Sequence, residues 1–330
     1  MYGDGDTAGN VAINKIPLAT NQACCNFVLD PARAHYRFVY YYLKGSYNNL
    51  VNLKLGGSQQ NLNAQSLKQF PFEIPSVDEQ KKIAAILSAY DDLIENNRRR
   101  IALLEKMAEE IYREWFVRMR FPGHEQAKFE KGVPTGWEVK RVAELVVRKK
   151  FGRICRETEL LPTGEVVVID QSKNEYLGFY DGKPEHVASP ESPLVIFGDH
   201  SCKMQLMFEP FSLAENVIPF AGKDGIPPIF LFYLVHSLVG TTEYKRHWTD
   251  LVTKEIYLPT SELRTLFDEQ VRALIVQTKR LKAVGQQLTR VRDALLPRLI
   301  SGKLAVENLD IRFPPSMAEP GGDIPEAALS

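Results

Sequence analysis

The chain has 330 residues, 44% of them hydrophobic, and its 41 Lys+Arg balance 41 Asp+Glu to a formal net charge of zero. That length fits two domains and a helical spacer, and the neutral balance counts against a stand-alone DNA binder, which ordinarily carries a basic surplus. No apolar run reaches the roughly 18 residues of a membrane-spanning helix.

The N-terminus, MYGDGDTAGN, lacks the basic and apolar pattern of a signal peptide. Cys24, Cys25, Cys155 and Cys202 show no metal-ligand spacing. Reduced thiols in a cytoplasmic protein are therefore expected.

Residues 1–76 read as a short globular module. From Asp78 to about Arg120 a helix is expected. Its apolar seam, Ile83, Leu87, Tyr90, Ile94, Asn97, Ile101, Leu104, Ala108, Ile111 and Trp115, steps alternately by four and three, a heptad pattern. Such a rod would be roughly 60 Å long. Asn97 breaks the seam: it is either a buried residue that fixes register or a partly wet position facing no partner. Arg98 to Arg100 and Asp91-Asp92 fall largely off the seam and read as a solvated face or a docking face. Phe121-Pro122-Gly123 ends the helix.

The next module is expected over 122–260. EVVVID (165–170) and PLVIFGD (193–199) read as strands and PPIFLFYLVHSLVG (227–240) as a buried helix, giving a mixed α/β or α+β unit. Reading bases directly needs Arg, Lys, Asn or Gln on a projecting surface, because those side chains match the donors and acceptors of base edges. Three segments qualify. RKKFGRICR (148–156) interleaves Arg148, Lys149, Lys150 and Arg153 with Phe151. KMQ (203–205) offers Lys203 and Gln205. EYKRHW (243–248) sets Tyr244, Lys245 and Arg246 beside Trp248, with His247 either a core residue or a contact. Each could instead be a solubilising loop. Residues 137–260 hold 14 Lys+Arg against 17 Asp+Glu, whereas 261–304 hold 9 against 4. Phosphate neutralisation by this chain alone is thus modest, and partners would supply much of the non-specific affinity.

A second long helix is expected within 261–304, its periodic part from about Phe267 to Leu299. Leu274, Leu281, Leu288 and Leu295 recur every seven residues, and Val271, Val284 and Val291 widen the stripe. Gly285 costs about 1 kcal/mol relative to Ala in an isolated helix. Neither helix can bury its stripe alone, so antiparallel packing on each other is the economical solution. The acidic, Pro/Gly-rich tail, 305–330, is expected to be disordered.

The chain also repeats itself. SLKQFPFEIP (66–75) then DEQ (78–80) and a helix match DLVTKEIYLP (250–259) then FDEQ (267–270) and a helix. Upstream, YGD (2–4) pairs with FGD (197–199), LATNQA (18–23) with LAENVI (213–218), and GGSQQNLN (56–63) with GTTEYKRH (240–247). Such a period is too long for a solenoid; it signals a duplicated module-plus-helix unit.

This order resembles the specificity subunits of type I restriction–modification systems. The residues carrying the resemblance are FPFEIPSVDEQKKIAAIL (70–87) and EIYLPTSELRTLFDEQV (255–271), with VPTGWEVKRVAEL (133–145) and LLPRLISGKL (295–304). It implies two target recognition domains alternating with two long antiparallel coiled-coil helices, each domain reading one half of a split site in double-stranded DNA. It further implies no catalysis and no cofactor, with docking of two adenine methyltransferase subunits and of translocating restriction subunits. Aligning Asp4 with Asp199 leaves the first module about sixty residues short at its start. A truncated first recognition domain is therefore expected, open to completion by a complementary N-terminal fragment or a second copy. Gln59, Gln60 and Asn61, of base-reading type, fall where the second module has EYKRH.

The sequence carries no catalytic motif. Adenine-methyltransferase Asn-Pro-Pro-aromatic runs, GxxxxGK[ST], GxGxxG, HExxH and CxxC are all absent from the sequence. The competing expectation is a coiled-coil interaction protein, or a defective remnant, without sequence-specific DNA binding.

Overall fold

The computed structural model describes residues 9–21, 24–52, 62, 64–236, 238–240 and 246–317. Contacts divide the chain into two units. The first comprises Met1–Ile101 and Leu281–Ser330, the second Ala102–Arg280.

The first unit holds helices α1 (Tyr36–Gly45), α2 (Tyr47–Asn52) and α3 (Ala64–Lys68), the N-terminal part of α4 (Val77–Tyr112), and the C-terminal part of a further long helix, Ser261–Ile300. Ser76 and Glu79 start α4 as a reciprocal cap: the Ser76 amide donates to Glu79 Oε2 (3.0 Å) and the Glu79 amide to Ser76 Oγ (3.4 Å). Asp78 and Glu79 in the first turn complement the helix dipole. Phe38 and Tyr41 of α1 are buried with Ile83, Ala84 and Leu87 of α4 and with Leu296 and Leu299 of the second long helix. On the other side of α1, Val39, Leu43 and Leu50 form a smaller core with Leu29, Leu67, Phe70 and Phe72. Asp91 Oδ1 accepts from Arg292 Nη1 (2.5 Å), while Lys82 Nζ donates to the carbonyl of Glu307 (2.6 Å). Asp91 meets Arg292, while Ile83 and Leu87, earlier on α4, share a core with Leu296 and Leu299, later on the other helix, so the pairing within this unit is antiparallel.

The tail departs from expectation. Residues 305–317 are packed: Val306 is 3% exposed, Ile311 and Met317 lie against the same core, and Arg37 Nη2 donates to the Ser316 carbonyl at 2.6 Å. Isolated apolar residues in a Pro-rich stretch carry no periodicity, yet each finds a hydrophobic seat here. Residues 318–330 lie outside the described residues.

In the second unit α4 ends earlier than the sequence implies. It widens into a π-turn at Arg113–Val117, which brings both Trp115 and Phe116 into the core (7% and 8% exposed). The strands follow: β1 (Phe129–Glu130), β2 (Val133–Pro134), β3 (Glu138–Arg141), β4 (Val146–Arg148), β5 (Val166–Ile169), β6 (Gly178–Tyr180), β7 (Leu194–Gly198), β8 (Met204–Met207), β9 (Phe211–Leu213), β10 (Val217–Gly222) and β11 (Glu255–Leu258). Helix α5 (Val142–Leu145) precedes β4; α6 (Pro228–Val235) and α7 (Trp248–Val252) precede β11; α8 is Ser261–Ile300.

An antiparallel sheet of order β4-β10-β7-β8 faces a three-stranded sheet β6-β5-β9, in which β5 and β9 are parallel. Side-chain alternation divides the interior. Val195, Phe197, Ile218 and Phe220 point to the core shared with α6 and the long helices. Ile196 and Val217 point instead to Ile169, Phe211 and Leu213. Helix α6 buries Ile229, Phe230, Leu231, Leu234 and Val235, as an all-apolar segment must. Tyr112, Trp115 and Phe116 meet Phe267 of α8 edge-on, with ring centroids 5.2–5.9 Å apart.

The seam read from the sequence of α4 is buried or half-buried throughout. Ile83, Leu87 and Ile94 are buried, Asn97 is 8% exposed, and Ile101 and Leu104 are half-buried. On α8, Leu281 is buried, and Leu274, Leu288 and Leu295 are half-buried; Val284, expected to widen the stripe, is 49% exposed. Asp91, expected on the solvated face, instead receives Arg292 and the Tyr41 hydroxyl (2.6 Å). No helix among the described residues is long and apolar enough to cross a membrane.

Candidate nucleic-acid interface

Strand β4 lies at the edge of the four-stranded sheet, and Arg148 is its last residue, opposite Phe220 of β10. The chain then leaves the sheet as a loop, 149–156, that is tied down at several points. The Lys149 amide donates to the Pro219 carbonyl (2.8 Å) and the Cys155 amide to that of Leu213 (2.8 Å). His186 Nε2 donates to the Phe151 carbonyl (3.1 Å), its ring stacked on Phe211. Burial lowers the pKa of His186, which keeps the ring neutral. Gly152 makes the turn with φ of +71°, where a Cβ would meet Glu185.

The segment that closes on this loop begins α7. Trp248 donates its amide to Asp199 Oδ1 (2.9 Å), and the His247 amide donates to the Asp199 carbonyl (2.8 Å). The Trp248 ring packs against Phe197 and Phe220 and lies 5.4 Å from the Arg148 guanidinium, which also stands 5.3 Å from the centre of the Phe151 ring. Arg246 is 75% exposed, 3.9 Å from Asp199. His247 is 1% exposed and so belongs to the core.

The structure thus brings Arg148, Phe151, Arg246 and Trp248 to one edge, with exposed Lys149 and Lys150 beside them. Other residues named from the sequence sit differently. Arg153 is held by Glu159 and by the Tyr180 hydroxyl (2.8 Å). Lys203 donates to the carbonyls of Asp170 (3.1 Å) and Asn174 (2.6 Å), and burial lowers its pKa. Gln205 lies on β8, at the opposite edge of the sheet. Tyr244, Lys245, Gln59, Gln60 and Asn61 fall outside the described residues. The role of Asp199 as anchor of this edge was not read from the sequence. The available signal was FGD recurring as YGD in the first module. No cluster of His, Cys, Asp and Glu among the described residues is arranged to hold a metal.

Residues 1–106 match the family described as "Type I restriction modification DNA specificity domain". In this the chain is similar to the specificity subunits of type I restriction–modification systems, the non-catalytic subunits that recognise DNA sequence and assemble the complex. Among its relatives is the MjaIX specificity subunit of a type I restriction enzyme from Methanocaldococcus jannaschii. It is 28% identical over an alignment covering 91% of this chain and 76% of that protein. The MjaVIII specificity subunit of the same organism is 24% identical over 93% and 79%. This chain therefore spans about three quarters of the length of either relative. The fold is that of the S subunit of the Type I restriction–modification system from M. genitalium, with a TM-score of 0.55 at 18% identity, covering 82% of this chain and 74% of that one.

Proposed function

We propose that the chain reads a bipartite site in double-stranded DNA, that the second module supplies one half-site preference, and that methyltransferase and restriction subunits assemble on it. The observation that carries this reading is the edge built by Arg148, Lys149, Lys150, Arg246 and two aromatic rings. It gathers exposed cations on a pinned loop in a chain with no net positive charge. Concentrating basic side chains at one sheet edge serves local contact with phosphates and base edges, while the neutral remainder leaves general affinity to partner subunits. The paired helices α4 and α8 would space the half-sites and carry the methyltransferase subunits. A groove of about 440 Å³ in the first unit, lined by Phe27, Leu29, Leu43, Phe70 and Phe72, would accept a complementary fragment or a second copy. An assembly of this kind, acting on double-stranded DNA, would work in the cytoplasm.

Co-expression with an adenine methyltransferase partner, followed by co-purification and methylome sequencing, tests the reading. The expected result is a stable complex and methylation of one split motif. A complex with no motif, or no complex at all, would favour a plain coiled-coil interaction protein.

A further inference from the structure

Arg148 differs from Lys149 and Lys150 beside it in standing over two aromatic rings. It is exposed and makes no hydrogen bond or ion pair among the described residues. Among the described residues two ring faces flank it, Phe151 at 5.3 Å and Trp248 at 5.4 Å. Arg153 and Lys203 are already engaged, by Glu159 with Tyr180 and by two carbonyls. Aromatic faces attract the guanidinium plane but take none of its five N–H donors. The fork is thus oriented, and no described residue takes up its hydrogen-bonding edge.

Both rings are fixed independently of Arg148. Phe151 rides on the loop held by the Pro219 and Leu213 carbonyls and by His186. Trp248 is held through its amide by Asp199, a residue 8% exposed, and through its ring by Phe197 and Phe220. An arginine held this way loses little rotamer entropy on binding. A phosphate anchor has no need of such orientation, and Lys149 and Lys150 next to it already offer point charges. A planar target with two adjacent acceptors does need it, and in duplex DNA that target is the major-groove edge of guanine, O6 with N7.

We propose that Arg148 is a specificity-determining residue of the second module, reading the guanine of one G·C pair through O6 and N7, and that Asp199 is a positioning residue acting through Trp248. This rests on the reading that the second module binds DNA.

The test uses the full chain assembled with its methyltransferase subunits. After the wild-type motif is recovered by methylome sequencing, binding is measured to duplexes carrying each base pair at each motif position. Arg148→Ala and Arg148→Lys should both lose roughly ten- to hundred-fold discrimination at one G·C position and leave the others intact. Arg148→Lys should keep the salt dependence of the wild type, because the charge remains while the fork is gone. Phe151→Leu should weaken discrimination at that same position. 7-Deazaguanine there should cost the wild type affinity and cost Arg148→Ala nothing further. Asp199→Asn, which retains the acceptor for the Trp248 amide, should read as wild type, while Asp199→Ala should lose preference at the Arg148 position.

If Arg148→Lys keeps the whole motif while Arg148→Ala lowers affinity for every duplex equally, the residue is a phosphate contact and the inference falls, though DNA reading by the module stands. If the wild-type complex shows no preference in either half-site, the reading of the module falls and the inference with it.

Discussion

Asp268 serves two elements at once. Its Oδ1 accepts the amides of Ile229 (2.9 Å) and Phe230 (3.4 Å) at the start of α6, and its Oδ2 accepts from Arg272 Nη2 (2.5 Å). Gln80 does the corresponding work in the first unit: buried, it accepts the His35 amide before α1 (2.8 Å) and donates to the carbonyls of Arg33 and Pro75. The two DEQ segments recognised as a repeat thus pin each module to the helix that follows it, through different members of the triplet. Asp268→Ala should destabilise the protein by about 2–4 kcal/mol, because it strands buried amides and an arginine together, whereas Asp268→Asn should cost less. Denaturant unfolding of both variants checks this. Asp91 poses a parallel case in the first unit. Asp91→Ala should cost about 2–3 kcal/mol and show coupling with Arg292→Ala in a double-mutant cycle. His186 gives a pH dependence. Its folded pKa is lowered by burial, so the unfolded chain takes up a proton first as pH falls below about 6.5. Stability from the neutral ring is full above that value and is lost as pH falls towards the folded pKa. The unfolding midpoint should drop between pH 7.5 and 5.5, and His186→Gln should flatten that part of the profile.

At the scale of elements, the long helices are set by periodicity and adjusted by packing. The four-three alternation along α4 marks its buried face, but the π-turn at Arg113–Val117 does not show in the pattern. It follows from seating both Trp115 and Phe116 against Phe230, Trp137 and Phe267. The pairing of Asp91 with Arg292 fixes which heptads face each other in the first unit. If this pair spaces the half-sites, removing Ile94–Arg100 from α4 together with one heptad of α8, Ala283–Thr289, shortens it by about 10 Å. The methylation motif should then keep both half-sites and change only the gap between them. Altered half-sites over an unaltered gap would sink the spacing role.

For the whole molecule, charge decides how DNA binding is shared. With 41 basic and 41 acidic residues, the isolated chain can neutralise few phosphates beyond those near its basic edge. Its DNA affinity should be weak and fall shallowly with salt, and the assembled complex should bind more tightly with a steeper slope. Titrations from about 50 to 200 mM salt compare the two directly. Equal slopes would mean that this chain carries the electrostatics unaided.

The sequence by itself determined the two long helices with most of their buried positions and the mixed α and β character of the second module. These are legible because periodicity and apolar runs are local properties of the chain. Tertiary structure alone decided which cations are available. Arg148 and Arg153 look alike in RKKFGRICR, but Glu159 and Tyr180 take up one while Phe151 and Trp248 merely orient the other. Lys203 looks like a contact until the carbonyls of Asp170 and Asn174 fold over it. Asp91 and Val306 read as surface and tail, yet each is drawn inward by a partner some two hundred residues away in sequence: Arg292 for the first and the core of α1 and α4 for the second. Whether a polar side chain faces water or a neighbour depends on what long-range folding brings to it, and that information lies in no single segment.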